Sequence, residues 1–188
     1  MGEEGYLTGK LLIASPAIGD PRFDRALIYV CDHDEDHAMG IAINNPVEDL
    51  RLPALFGQLG IESDIILPDR AVLNGGPVDG DRGFVLHTPD FAHDSATMRV
   101  SGNICLTATR EVLDAMASDH PPRQAVLALG YAGWGPGQLE DELQASAWLV
   151  ADPEEGLIFD DRFDDKWERA LQQIGVDPAH LSAISGHA

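Results

Sequence analysis

Gln124-Ala125-Val126-Leu127-Ala128-Leu129-Gly130-Tyr131-Ala132-Gly133-Trp134-Gly135-Pro136-Gly137-Gln138-Leu139-Glu140 is the stretch on which the fold turns. Its first part, Gln124 to Tyr131, is an apolar run that reads as a buried strand. Gln138 to Ala145 reads as a helix with Leu139 and Leu143 on one face. Between them, four glycines, a proline, Tyr131 and Trp134 crowd into a short window. Glycine permits backbone angles and close approaches that other residues resist, and the two aromatics supply amphipathic contact surface. The expectation is a strand, a glycine-rich turn and a helix.

Working outward, a second dense patch runs from Asn74-Gly75-Gly76-Pro77-Val78 through Asp79, Gly80, Asp81 and Arg82 to Gly83-Phe84-Val85-Leu86-His87. Lys10–Ala14, Ala26–Cys31 and Met39–Ile43 read as strands, the last two joined by an acidic hairpin loop, Asp32 to His37. Leu52–Leu59 is a short helix, and Arg70–Leu73 and Gly83–Thr88 are strands. Met98–Leu106 is one strand weakened by Gly102. Helical spacing from Thr109 to Met116 follows, with Thr107 as its cap. Trp148–Ala151 and Leu157–Phe159 read as short strands. Trp167, Ala170, Leu171 and Ile174 mark the clearest amphipathic helix, with Asp165 and Glu168 spaced as a capping box. Asp177-Pro178 opens a last helix. The pattern predicts a mixed α/β (α+β) fold: one compact domain over residues 1–188, a mixed sheet flanked by helices.

The blocks Leu7-Thr8-Gly9-Lys10-Leu11-Leu12-Ile13-Ala14, Asp20-Pro21-Arg22-Phe23, Ala38 to Asn44, Gly75-Gly76-Pro77-Val78, Arg82 to His87, Leu129 to Trp134, Gly137-Gln138-Leu139-Glu140 and Trp148-Leu149 occur in one order. Together the chain resembles the AlgH/YqgE family of bacterial proteins over nearly its whole length. That resemblance implies a compact mixed α/β fold and a bacterial cytoplasmic setting, and no particular reaction. Some members carry a label as transcriptional regulators of exopolysaccharide synthesis. Two positions depart from the family pattern: Asn45 stands where arginine usually precedes Pro46, and Ser146 where asparagine usually precedes Ala147-Trp148.

Composition supplies the exclusions. Twelve Lys plus Arg against 32 Asp plus Glu give a net charge of −20. From Glu140 to Asp165 there are ten acids and a single base, Arg162. Non-specific attraction to duplex DNA depends on Lys and Arg displacing counterions, and this chain has no basic run, so direct nucleic-acid binding is not expected. The start, Met1-Gly2-Glu3-Glu4, lacks the layout of a signal peptide, and no stretch is long enough to span a bilayer; the expected setting is cytoplasmic. Cys31 and Cys105 sit in apolar, strand-like sequence and read as buried thiols rather than a disulfide.

The candidate sites follow from the two glycine patches. Backbone N–H groups in a strand–turn–helix connection can hold phosphate, but the spacing is not G-x-G-x-x-G, no G-K-[ST] occurs, and Glu140, Asp141 and Glu142 crowd the helix start. No cofactor is expected. Packing of the aromatics against the sheet is the simplest reading. As a ligand or partner surface the candidates are Gly75, Gly76, Pro77, Arg82, Tyr131, Trp134, Gln138 and Glu140, with Tyr131 the more buried aromatic and Trp134 nearer the surface. His33 and His37 flank three acids, but a hairpin does not aim both imidazoles at one point, and no metal site is expected. His87 and Arg82, beside Asp79 and Asp81, are the weak catalytic candidates; a hydrogen-bonded strand-end histidine and an arginine paired to a nearby carboxylate are the simpler readings. The leading expectation is a non-enzymatic binding or regulatory module with a protein or small-molecule partner. The alternatives are an enzyme using His87 and a carboxylate on a small substrate, and a transcriptional regulator. An enzyme needs His87, Arg82 and the aromatic turn in one concave pocket; an adaptor needs an exposed apolar patch.

Overall fold

In the computed structural model, which describes residues 6–185, β-branched and aliphatic runs form a curled sheet with buried clusters on both of its faces. The elements, in chain order, are β1 (Leu11–Ala14), β2 (Leu27–His33), β3 (Ala38–Ala42), β4 (Pro46–Arg51), α1 (Leu52–Gln58), β5 (Ala71–Asn74), β6 (Val78–His87), β7 (Thr97–Ser101), β8 (Ile104–Thr107), α2 (Arg110–Met116), β9 (Ala125–Trp134), α3 (Gln138–Gln144), β10 (Trp148–Ala151), α4 (Glu155–Phe159), α5 (Lys166–Gln173) and α6 (Pro178–Ser185). The strands run β10-β1-β2-β3-β9-β6-β8-β7, with the β4–β5 pair branching off β9. Pairing is antiparallel except between β5 and β9. The result is a half-barrel, an α+β fold dominated by its sheet.

β9 organises the core because it serves three partners. It pairs with β6 over Ala125–Tyr131, with β5 at Ala128 and Leu129, and with β3 over Ala132–Trp134. Side chains alternate along a strand, so Val126 and Ala128 enter the core inside the curl while Leu127 enters the core under α1 and α2. Gly130 then takes a left-handed angle, φ 75°, and the alternation shifts by one residue. Beyond it Tyr131 faces the inside of the curl, and Ala132 and Trp134 enter a third core with Trp148 and Leu139. Residues of α4 and α5 (Leu157, Ile158, Phe159, Trp167, Ala170 and Leu171) plug the inner core.

Several expectations are corrected. Leu157–Phe159 belongs to a helix, α4, not a strand; all three are buried because the helix lies inside the curl, and so short an apolar run carries no period. Met98–Leu106 is two strands, β7 and β8, turning at Gly102 with φ 43°. β9 runs on to Trp134, so the turn shrinks to Gly135–Gly137. β4 was not anticipated: its residues are mostly exposed and it opens on proline. Thr107 lies within β8, and Thr109 takes the cap position of α2. Asp165 makes no capping bond to α5 and instead accepts from Arg162 and Arg169. At α6 the Asp177 carboxylate accepts from the Ala179 N–H at 2.9 Å, as expected. Among the described residues, no helix is long and apolar enough to cross a membrane.

Candidate functional site

The two glycine patches, 55 residues apart in sequence, are pressed against each other. The Gly75 N–H donates to Leu129 O at 2.8 Å and the Ala42 N–H donates to Gly75 O at 2.9 Å, so residue 75 is wedged between β3 and β9. A Cβ at Gly76 would stand 2.1 Å from the carbonyl carbon of Tyr131, and one at Gly130 would stand 2.5 Å from Gly76 O. No side chain fits there. Gly75, Gly76 and Gly130 are required by this seam of backbone on backbone.

The seam divides the predicted surface residues. On its inner side, Arg82 and Tyr131 border the open mouth of the curl, a concavity of about 590 Å³ also lined by Met39, Phe84 and Met98. The Tyr131 ring meets Phe84 edge-on at 5.6 Å between centroids, and it covers Gly133, where a Cβ would lie 3.3 Å from the ring. The Arg82 guanidinium lies over the Phe84 ring at 5.2 Å. Among the described residues Arg82 makes no ion pair, so the expected partnership with Asp79 or Asp81 is replaced by a cation–π contact.

Trp134 touches the wall of this mouth, but its indole points the other way. It is 5% exposed and packs edge-on against Trp148 at 6.0 Å. The Glu142 Oε1 accepts from both indoles, at 3.1 Å from Trp134 and 2.8 Å from Trp148, and its Oε2 accepts from Gln138 at 3.1 Å. The order expected for the two aromatics is therefore reversed: Trp134 is the buried one and Tyr131 the half-buried one, because the shift at Gly130 sends residue 134 outward into a closed core. Gln138 also accepts from the Gly135 N–H. Glu140 accepts from His33 Nε2 at 3.0 Å, a bond that holds its carboxyl below the usual range. These two residues tie α3 down and lie away from the mouth.

His87 lies apart from Arg82 and Tyr131. It is fully buried on β6, with Nδ1 2.8 Å from Thr88 O and Nε2 2.7 Å from Thr107 Oγ1. Since Thr88 O only accepts, Nδ1 carries the hydrogen and the Thr107 hydroxyl donates to Nε2. Thr107 Oγ1 also lies 2.9 Å from Thr97 Oγ1, which accepts from the His93 N–H at 2.8 Å. The chain closes with every group used. Burial lowers the His87 pKa, which favours the neutral ring. His33 and His37 diverge: His33 Nδ1 accepts from the Leu7 N–H at 2.9 Å, whereas His37 contacts Asp32 at 2.9 Å and Asp34 at 3.2 Å.

On the outer side of the seam, Gly76 and Pro77 border a second cleft, about 580 Å³, with Arg25, Asn45, Asn74 and Trp167. No local pattern points to Phe84, Met39 and Met98 as mouth residues. Their inward alternation on β6, β3 and β7 could have been counted only with the sheet order in hand. The Asn44-Asn45 doublet, by contrast, was a readable polar signal at a strand end.

The AlgH-like family model matches residues 11–179. A UPF0301 protein of Caulobacter vibrioides is 53% identical over 184 residues, 97% of this chain and 94% of that protein. One from Bradyrhizobium diazoefficiens is 51% identical over 191 residues, 98% of this chain and 89% of that protein. The solution structure of the AlgH protein from Pseudomonas aeruginosa matches with a TM-score of 0.77 at 35% identity, covering 97% of this chain and 96% of that chain. A crystal structure from Corynebacterium diphtheriae, TM-score 0.73 at 19% identity over 94% of this chain and 91% of that chain, shares the fold. The ordered motif blocks, the family match over most of the length and the shared half-barrel agree: this chain belongs to the AlgH-like family.

Proposed function

We propose that the protein is a non-enzymatic binding module and that the open mouth of the half-barrel is its working surface. The observation that carries this reading is the separation of Arg82, Phe84 and Tyr131, gathered with Met39 and Met98 on one concavity, from His87, which is enclosed elsewhere with both ring nitrogens engaged. Methionine and half-buried aromatic side chains adapt to an apolar partner, and an arginine held over a ring adds a fixed cation at the rim. The enzyme reading requires His87 in the same pocket as Arg82, whereas the concavity that Arg82 borders is not lined by His87. The net charge of −20 disfavours direct contact with DNA, so a regulatory role of the kind attached to some family members would run through a protein or small-molecule partner.

The test is co-purification from native cells followed by mass spectrometry, comparing wild type with Arg82→Ala, Tyr131→Ala and His87→Gln. A companion enriched by wild type and His87→Gln but lost from the two mouth variants is expected. Loss only in His87→Gln, or retention by all three, sinks the reading. A specific, salt-sensitive mobility shift of duplex DNA by the pure protein would move the assignment to direct transcriptional control.

A further inference from the structure

The cleft on the outer side of the glycine seam holds charges of both signs that do not neutralise one another. Arg25, Asp24, Asp164 and Glu168 all border it, yet none of the four forms an ion pair among the described residues. Arg22, also on the rim, is already committed to Asp20 through Nε and Nη2.

Arg25 is set in place by two devices. Its backbone takes a left-handed angle, φ 54°, which is costly for a residue with a side chain. Asn44 holds that conformation: its Nδ2 donates to Arg25 O at 2.9 Å while its Oδ1 accepts from the Leu27 N–H at 3.0 Å. The guanidinium then lies 5.1 Å from the centre of the Trp167 ring. The indole itself is fixed, because Trp167 Nε1 donates to Ala14 O at 2.9 Å. Next to it, Asn74 turns its Oδ1 to the Gly76 N–H, which leaves its two Nδ2 hydrogens for the cleft. Asn45 brings a second amide. The cleft thus offers donors, a guanidinium and two amides. The same lining brings the carboxylates of Asp164 and Glu168 around α5, and of Asp24.

A simple anion would meet three carboxylates here, and a simple cation would meet the arginine. A molecule that carries both charges satisfies both sets of groups at once, with its carboxylate on Arg25 and the amides and its ammonium toward Asp164 and Glu168. The volume lies within the range of small-molecule sites. We propose that this cleft binds a small zwitterion, of the class of a free amino acid or a short unblocked peptide. The site is separate from the mouth, and its ligand contacts neither Arg82 nor Tyr131.

The experiment is a titration of the isotope-labelled full chain, followed by amide and indole NMR shifts, with glycine, triglycine, N-acetyl-triglycine and triglycine amide as probes. Saturable shifts at Arg25, Asn45, Asn74 and the Trp167 indole are expected with an unblocked probe at concentrations up to about 10 mM, the weak end of specific binding. Preference for triglycine over glycine would assign a peptide, and equal binding a free amino acid. Blocking either terminus, or substituting Arg25→Gln, should weaken binding about tenfold or more, the usual scale for removing one member of a charged contact. Asp164→Asn with Glu168→Gln should weaken the unblocked probe and leave N-acetyl-triglycine unchanged, which guards against a fold defect in Arg25→Gln. Arg82→Ala should bind every probe as wild type does. No saturable shift with glycine or triglycine, or equal shifts from blocked and unblocked peptides, overturns the proposal.

Discussion

Tyr131 and Trp134 are three residues apart on one strand, and they face opposite fates. Around Trp134 every polar atom has a partner inside the protein: two indole N–H groups converge on one Glu142 oxygen and Gln138 takes the other. Around Tyr131 the surroundings are left open, with an arginine over a ring and methionines at the edge of a cavity. The same composition, aromatic beside glycine, builds a closed core on one face and an open surface on the other. What separates them is geometry alone: an odd spacing along a strand points them to opposite faces, and the left-handed step at Gly130 sets which face each one takes. Closed groups report on stability and open groups report on binding, and the two can be measured apart.

The hardest test of the comparison is at the seam that both regions share. Gly76→Ala would drive a Cβ into the backbone of Tyr131, and neither backbone can yield without moving the other. A loss above about 4 kcal/mol in denaturant unfolding is expected, in the range that marks a specific backbone conflict. A loss below 1 kcal/mol would mean the seam is slack and that the two regions are not held by it.

Next comes the pair itself. Trp134→Ala should cost about 3–5 kcal/mol, as for other buried large aromatics. Tyr131→Ala should cost nearer 1 kcal/mol and act chiefly on partner capture. Urea melts of both variants decide the matter, and equal losses would erase the distinction between closed and open faces.

Lys166 extends the closed class to a charge. Its ammonium is fully buried, donating to Ile158 O at 3.3 Å with Asp160 at 3.7 Å, and Arg169 takes Asp160 with two bonds. Burial pushes its pKa from 10.5 down to about 8. Between these values the unfolded chain holds the proton and the folded chain does not, so this residue adds stability as pH rises and its penalty is fully present below pH 8. Lys166→Met should therefore be more stable than wild type at neutral pH, and the difference should shrink as pH rises to 10.5. The difference between the two proteins is the quantity to follow, because Tyr29 and Cys31, both raised by burial, destabilise the fold in the alkaline range in each. A pH-independent difference would show that Lys166 keeps its proton throughout.

The smallest effect is expected at Ser146, which connects α3 to β10 with φ 61°. Asparagine tolerates this angle better than serine. Ser146→Asn should stabilise the closed side by up to about 1 kcal/mol, seen as a raised unfolding midpoint, with no change at the mouth. A destabilised variant would mean that the bond from Ser15 Oγ to Ser146 O, 2.6 Å long, depends on the serine.

Much of the scaffold was legible because it rests on local pattern. β1, β2, β3, β5 and β9 are apolar runs with clear ends, and Asp177-Pro178 opens α6 as its chemistry dictates. The misses share a cause. Leu157–Phe159 carries no period, and whether three buried residues form a strand or a helix is decided by the space that α5 leaves inside the curl. At the candidate site, Gly75 and Gly130 look like surface turns because each is read without the other, and their contact spans 55 residues. Arg82 near two aspartates suggests an ion pair, yet on β6 it shares a face with Phe84, and its guanidinium lies over that ring. Long-range contact, not residue chemistry, was the missing information.

The step at Gly130 also sets what the gene encoding this strand can tolerate. Point changes along β9 act one residue at a time, but a single codon lost between Val126 and Trp134 would exchange the inward and outward sets of everything beyond the lesion. Tyr131 would be carried toward the space beside Trp148, and the indole toward the mouth. Losing two codons would restore the alternation and yet pull the pairs Ala38 with Trp134 and Gly40 with Ala132 out of register. Length is therefore the least negotiable property of this segment. A scan of single-residue deletions through the chain should find in β9 its sharpest boundary, with the permissive connection resuming only at Gly135–Gly137.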